Sequence, residues 1–116
     1  YSVQFSSPEQ VMDKRCLPAS DLYSLGCIFY EALAGRPPFE GDNGLHIMAQ
    51  TLSAPAQPMS VVRGDPAIKK YDDVVLQLLA KEPHKRYVDG AEVRDAFAHV
   101  TETPSSGGWM AKLFKK

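Results

Sequence analysis

Residues 21–34 (DLYSLGCIFYEALA) are apolar on nearly every face of a helix, interrupted only by Ser24 and Glu31. A helix that is apolar all round is a buried one, so this segment is expected to be the central post of the molecule. Gly35 supplies its C-terminal stop, and Arg36-Pro37-Pro38 forbids continuation, because proline lacks the N–H and its ring clashes with the preceding turn. A second helix opens at Asp65-Pro66, an N-cap followed by proline at the first helical position. It sets Ile68, Tyr71, Val75 and Leu78 on one stripe, and Pro83 ends it. A third is expected to start at Asp89, with Glu92 three residues on in a capping-box arrangement and an apolar stripe through Val93, Phe97 and Val100. That spacing describes a surface helix laid on a core.

Residues 45–52 carry a weaker helical pattern, and the stretch around Pro55 and Pro58 is punctuated too often to be regular helix. A short helix fits residues 8–13. No segment alternates apolar and polar positions cleanly enough for a strand, and no internal repeat is visible. The expected class is all-α.

Composition narrows the function. At 116 residues, 44% hydrophobic and 23% charged, the chain fits one globular domain. Such a domain buries roughly two-thirds of its unfolded surface. Its formal net charge of -1 supplies no field to gather nucleic acid, so no nucleic-acid partner is expected. Two cysteines, Cys16 and Cys27, are too few for a secreted disulfide scaffold, and with three scattered histidines they form no metal-ligand cluster. A reduced, cytoplasmic setting follows. No stretch approaches the roughly 20 apolar residues of a membrane-spanning helix. A start at Tyr1 rather than methionine suggests a piece of a longer chain.

Three short motifs fall at the helix boundaries. Phe5-Ser6-Ser7-Pro8-Glu9-Gln10 is an aromatic, two small residues, then Pro-Glu. Asp21-Leu22-Tyr23-Ser24-Leu25-Gly26 heads the apolar helix, which runs on to Gly35-Arg36-Pro37-Pro38-Phe39. Glu82-Pro83-His84-Lys85-Arg86-Tyr87 lies between the last two helices. In this order they resemble the end of the activation segment, the D-x-(aromatic)-S-x-G head of the central helix, and the P-x-x-R-(T or Y) turn of Hanks-type (eukaryotic-like) serine/threonine protein kinases. The resemblance covers about residues 1–100, and the Ser-Pro-Glu-Gln and Lys-Arg-Tyr spellings are similar to bacterial members. It implies the C-terminal helical subdomain of the protein kinase-like fold, the helices that follow the activation segment, with no sheet of the small lobe.

The resemblance also implies roles. Glu9 and Arg86 match a carboxylate and a guanidinium that form a buried ion pair, which ties the activation segment to the helical base. Arginine suits this because its planar fork bonds a carboxylate through two N–H groups. Without the motifs they would read as two surface charges that never meet. Asp21 matches the residue whose carboxylate accepts backbone N–H bonds from the catalytic loop, and it is equally readable as a helix N-cap. Gly26 is the motif glycine of the central helix. Ser2 and Phe5 are candidates for the substrate-facing loop, although Tyr1 and Val3 stand where the family usually has Gly and Pro. Residues 39–52 offer a docking surface.

Other family parts do not occur in the chain. It has no Gly-rich phosphate loop, no strand Lys paired with a helix Glu, no catalytic Asp followed by Asn, and no metal-binding Asp before Phe-Gly. No catalytic, cofactor-binding or metal residue is therefore assigned; ATP and magnesium belong to the parent kinase. The expected partners are the missing small lobe and catalytic loop, and a protein substrate. A second copy of the chain is also expected, covering the apolar surface that their removal bares.

After Thr101 the composition shifts. Residues 1–101 read as the partial kinase lobe, 102–108 (ETPSSGG) as a flexible linker, and 109–116 as a basic amphipathic tail. In that tail Trp109, Met110, Leu113 and Phe114 share one helical arc opposite Lys112, Lys115 and Lys116, which suits an anionic membrane surface or a partner's groove. Eight residues are few for a stable helix in water, and a frayed terminus is the plainer reading. If the parent continues, this stretch stands before a membrane span with the kinase on the cytoplasmic side. Two functions are compatible with the whole. One is a fragment of an active serine/threonine kinase, inactive alone. The other is a pseudokinase lobe acting as a protein-binding scaffold.

Overall fold

The computed structural model describes residues 3–13 and 17–101. Their helices are α1 (Pro8–Asp13), α2 (Pro18–Ala34), α3 (Gly44–Ser53), α4 (Met59–Arg63), α5 (Asp72–Leu78) and α6 (Gly90–Thr101). Short 3₁₀ turns occupy Val3–Phe5, Pro66–Tyr71 and Pro83–Lys85. No strand occurs among the described residues. The all-α class stands among the described residues.

The central post begins earlier than its apolar pattern does. Pro18 takes the first helical position after an extended Leu17 (φ -103°, ψ 161°), and the Ser20 hydroxyl accepts the Leu17 N–H at 3.0 Å. That bond satisfies one of the donors a helix start leaves open. Asp21 is therefore in the first turn of α2 and is not its N-cap. At the other end Gly35 turns left-handed (φ 89°), with its N–H on the Glu31 carbonyl at 2.9 Å. A side chain at that φ would be strained, which is why the stop is glycine.

One face of α2 holds the core. Tyr23, Cys27, Tyr30 and Ala34 pack with Met59, Val75 and Leu79, while Leu22 joins Leu78 and Val93. The opposite face corrects the expectation of burial all round: Asp21, Ile28 and Ala32 are exposed, Ile28 at 55%. No described element covers that stripe.

Gly26 sets how closely α5 lies against the post. A Cβ there would stand 2.7 Å from the Leu78 Cβ and 3.1 Å from the Leu79 Cδ2. Only a residue without a side chain lets the two helices approach that far, so the motif glycine is a packing requirement.

The second helix expected from the sequence is divided. Asp65 caps its start, accepting the Ala67 N–H at 2.9 Å, but the chain runs as a 3₁₀ turn to Tyr71 and becomes α-helical only from Asp72. It ends at Leu78, ahead of Pro83. The third opens at Gly90: Asp89 accepts the Glu92 N–H and Glu92 accepts the Val88 N–H, both at 2.9 Å, so the reciprocal cap falls one residue wider than a standard box. Phe97 of α6 lies on Phe29 of α2, with ring centroids 4.7 Å apart. Helix α4 falls where the prolines argued against helix. Pro58 stands at its N-cap, Met59 is fully buried, and Ser60 donates its N–H and hydroxyl to the two carboxylate oxygens of Asp72.

Candidate functional site: the Glu9–Arg86 anchor

The Ser-Pro-Glu-Gln motif folds onto itself before it meets anything else. Gln10 accepts the Ser7 N–H and hydroxyl at 2.9 and 3.0 Å, and the Ser7 hydroxyl accepts the Gln10 N–H at 3.3 Å. This is a capping box at the head of α1, and it fixes Glu9 in the first turn facing the base of α2. At the other end of the chain, Pro83 starts a 3₁₀ turn after which Arg86 is extended (φ -79°, ψ 177°), and its side chain runs back under α1.

The two side chains meet as a fork on a fork. Arg86 Nη1 donates to Glu9 Oε2 at 2.7 Å and Nη2 donates to Oε1 at 2.9 Å. The Arg86 side chain is 0% exposed and the Glu9 side chain 6%. The rest of the guanidinium is also used. Nε donates to the Ala80 carbonyl at 2.7 Å, Nη1 to the Ala19 carbonyl at 2.9 Å and Nη2 to the Lys81 carbonyl at 3.2 Å, so every N–H of the fork has an acceptor. The plane lies over the Tyr23 ring, 5.0 Å from its centroid. Ser20 completes the carboxylate by donating its hydroxyl to Glu9 Oε2 at 2.6 Å.

This satisfaction decides the electrostatics. Burial by itself would raise the Glu9 carboxyl, but the hydrogen bonds from Arg86 and Ser20 outweigh it and hold the group at about 2. Glu9 is thus an ion at any physiological pH and cannot serve as an acid or base. Among the described residues no buried side-chain nitrogen or oxygen lacks a partner. The arrangement is an anchor: a single cation joins α1, the base of α2, the end of α5 and the turn before α6.

The other expected residues are placed unevenly. Phe5 is half-buried against the core, and its carbonyl accepts the Ser24 hydroxyl at 2.7 Å, a second tie between the segment before α1 and the post. Asp21 is exposed, and its carboxylate makes no hydrogen bond to another described residue. Ser2, Trp109, Lys112, Leu113 and Phe114 lie outside the described residues, as do the linker and tail. In residues 39–52, Phe39 is buried while Leu45 is 78% exposed; beside them a hollow of about 380 Å³ is lined by Tyr30, Arg36, Phe39 and Gln50 among others. Sequence reasoning missed Ser20 and Ser24. Ser24 was visible as the serine of D-x-(aromatic)-S-x-G, and Ser20 sits one position before that motif.

ATP and magnesium find no fitting set of residues here. The family's phosphate and metal ligands do not occur in the sequence, and no group of three or more His, Cys, Asp or Glu among the described residues could hold a metal ion. No step of phosphoryl transfer is assigned to this chain.

Comparison with known proteins agrees with the geometry. The protein kinase domain family matches residues 1–100. The serine/threonine-protein kinase PknB of Mycolicibacterium smegmatis is 40% identical over 101 residues, which is 87% of this chain and 16% of that protein. PknB of Mycobacterium tuberculosis is 41% identical over 99 residues, 85% of this chain and again 16% of the relative. This chain therefore spans about a sixth of the length of these relatives. Among solved structures, the twitchin kinase region from C. elegans superposes with a TM-score of 0.70 at 24% identity, covering 88% of this chain and 17% of that one, a likeness of fold. With residues 1–100 matched by its model, the chain belongs to the protein kinase domain family.

Proposed function

We propose that this chain is the helical base of a serine/threonine protein kinase that transfers the γ-phosphate of ATP to protein serine or threonine, and that it does no chemistry by itself. Its part is to hold the end of the activation segment and to support the catalytic loop. The observation that carries this reading is the buried two-bond pair of Arg86 and Glu9, which ties the first turn of α1 to the turn before α6 across 77 residues of chain. A kinase needs its substrate-facing loop held at a fixed height over the base, because misplacement of reacting groups by about 1 Å costs on the order of a hundredfold in rate. Asp21, exposed at the head of α2, is where the catalytic loop's N–H groups would be received.

The test compares the chain with its parent kinase. Mixed with magnesium-ATP and a serine-rich acceptor protein, the 116-residue chain should show neither phosphate transfer nor saturable nucleotide binding, while the parent transfers phosphate. Arg86→Ala in the parent should remove activity. Magnesium-dependent ATP binding by the chain alone, or full activity of that variant, contradicts the reading.

In the same reading residues 109–116 bring the parent to an anionic membrane surface on the cytoplasmic side, on the strength of Trp109 and Phe114 with Lys112, Lys115 and Lys116. Sedimentation with anionic vesicles should carry the chain down, less so in salt, and not for the Trp109→Ala, Phe114→Ala pair.

A further inference from the structure

Helix α2 takes hold of the segment that runs into α1 at two points. Ser20 donates its hydroxyl to Glu9 Oε2 at 2.6 Å, and Ser24 donates its hydroxyl to the Phe5 carbonyl at 2.7 Å. The two serines are one helical turn apart, about 6 Å along the axis, and so stand on one face of α2. Their partners come in reverse order, the later serine holding the earlier residue, so the stretch from Phe5 to Glu9 lies antiparallel to the first turns of α2.

The two points differ in what they hold. At Ser20 the partner is a side chain already fixed by Arg86 through two bonds of its own. At Ser24 the partner is main chain. Helix α1 opens with the Val11 N–H on the Ser7 carbonyl at 3.0 Å, so the Phe5 carbonyl stands ahead of that ladder and takes its donor from another element. A serine inside a helix can return its hydroxyl to the carbonyl one turn back. Ser24 instead directs its single proton outward, to the 3₁₀ turn Val3–Phe5. The Phe5 side chain packs against the core cluster of Tyr23, Cys27 and Tyr30, but apolar packing has no direction. The bond to the carbonyl is what orients the turn.

The structure assigns Ser24 as a positioning residue for the protein acceptor: it sets the height and direction of the Val3–Phe5 turn over α2, separately from the Glu9–Arg86 anchor. This rests on the reading of that turn as the substrate-facing loop of a serine/threonine kinase. Ser24 acts only through the Phe5 main chain, so its contribution belongs to acceptor binding and leaves nucleotide binding alone.

The test compares Ser24→Ala and Ser24→Thr with the wild type, both in the parent kinase and in the 116-residue chain. In the parent, Ser24→Ala should raise the KM for the acceptor protein about fivefold, as loss of one neutral hydrogen bond does, with the KM for ATP unchanged. Ser24→Thr keeps the hydroxyl and should restore the acceptor KM. In the chain, amide hydrogen exchange of residues 4–7 should quicken about fivefold in Ser24→Ala, while the buried Val75 of α5 exchanges as in the wild type. An acceptor KM that does not move, an equal rise in the KM for ATP, or a Ser24→Thr variant as impaired as Ser24→Ala overturns the proposal. So does quickened exchange at Val75, which would make the serine a stabiliser of the whole lobe. A wild-type parent that transfers no phosphate overturns the proposed function instead, and unchanged exchange of residues 4–7 in Ser24→Ala still overturns the assignment of Ser24.

Discussion

Arg86 and Glu9, 77 positions apart, share two parallel hydrogen bonds of 2.7 and 2.9 Å in a setting that leaves the arginine side chain no exposure. Charges taken out of water at this depth are favourable only when each hydrogen-bonding group is met, and here the Ala19, Ala80 and Lys81 carbonyls and the Ser20 hydroxyl do that.

Removing one partner leaves the other buried and uncompensated. Arg86→Ala is expected to cost about 3–5 kcal/mol, against less than about 1 kcal/mol for an exposed pair. The Glu9→Ala, Arg86→Ala double change should cost less than the two single changes added, since contacting residues couple. Urea unfolding of the four proteins measures both quantities. Strict additivity would mean that the pair does not interact in solution.

Acid should act on the same bond. The Glu9 carboxyl sits at about 2 in the folded chain, against 4.5 unpaired, so the unfolded chain takes up the proton first as pH falls. The stability Glu9 contributes is complete above about pH 5 and is lost progressively toward pH 2. Titrating the unfolding midpoint over that range should give a slope that the Glu9→Gln variant lacks. Lys81 works in the opposite window. Its amine is lowered to about 8 from 10.5, the unfolded chain holds more protons between those values, and stability should rise slightly across them.

Gly26→Ala tests the helix contact. The added methyl would have to stand 2.7 Å from the Leu78 Cβ, and neither helix backbone can shift without moving the core around Val75 and Leu79. Overpacking of this kind costs about 1–3 kcal/mol, more than the gain expected from a better helix former. Thermal unfolding reads the loss. The same change at an exposed position such as Gly90, where an added Cβ meets nothing within 4 Å, should be neutral or stabilising.

The open stripe of α2 should find a cover. Ile28 is 55% exposed on a helix whose other face is the core, and a second copy is the nearest apolar partner in solution. Light scattering at rising concentration should show association, weakened by Ile28→Glu. A monomer at high concentration would show that the stripe tolerates water.

Much of this protein was legible in its sequence because the signals are local. The apolar run of α2, its glycine stop, and the Asp65 and Asp89 caps each depend on residues within one turn of each other, and each is found where the pattern put it, to within a few positions. The three-residue error at the start of α2 has the same origin: Pro18 and Ser20 begin the helix, and neither is apolar enough to register in a hydrophobic pattern. Helix α4 was hidden because one turn and a little more carries no period to read. What holds it is the Asp72 carboxylate, donated to across twelve residues.

By itself, then, the sequence determined the long apolar helix with its glycine stop and the caps at Asp65 and Asp89, since propensity, capping and periodicity act over a few residues, while the pairing of Glu9 with Arg86 was legible only through the family resemblance. Only the tertiary structure decided the rest. It brought Glu9 to Arg86 and closed the fork with three carbonyls and Ser20, because backbone acceptors have no residue type to recognise. It made Gly26 a contact with Leu78 and left Ile28 in water on a helix that reads as buried throughout. It also set the Lys81 ammonium against the Phe39 ring and the Gln50 carbonyl, where the cost of holding a charge depends on what surrounds the amine in space.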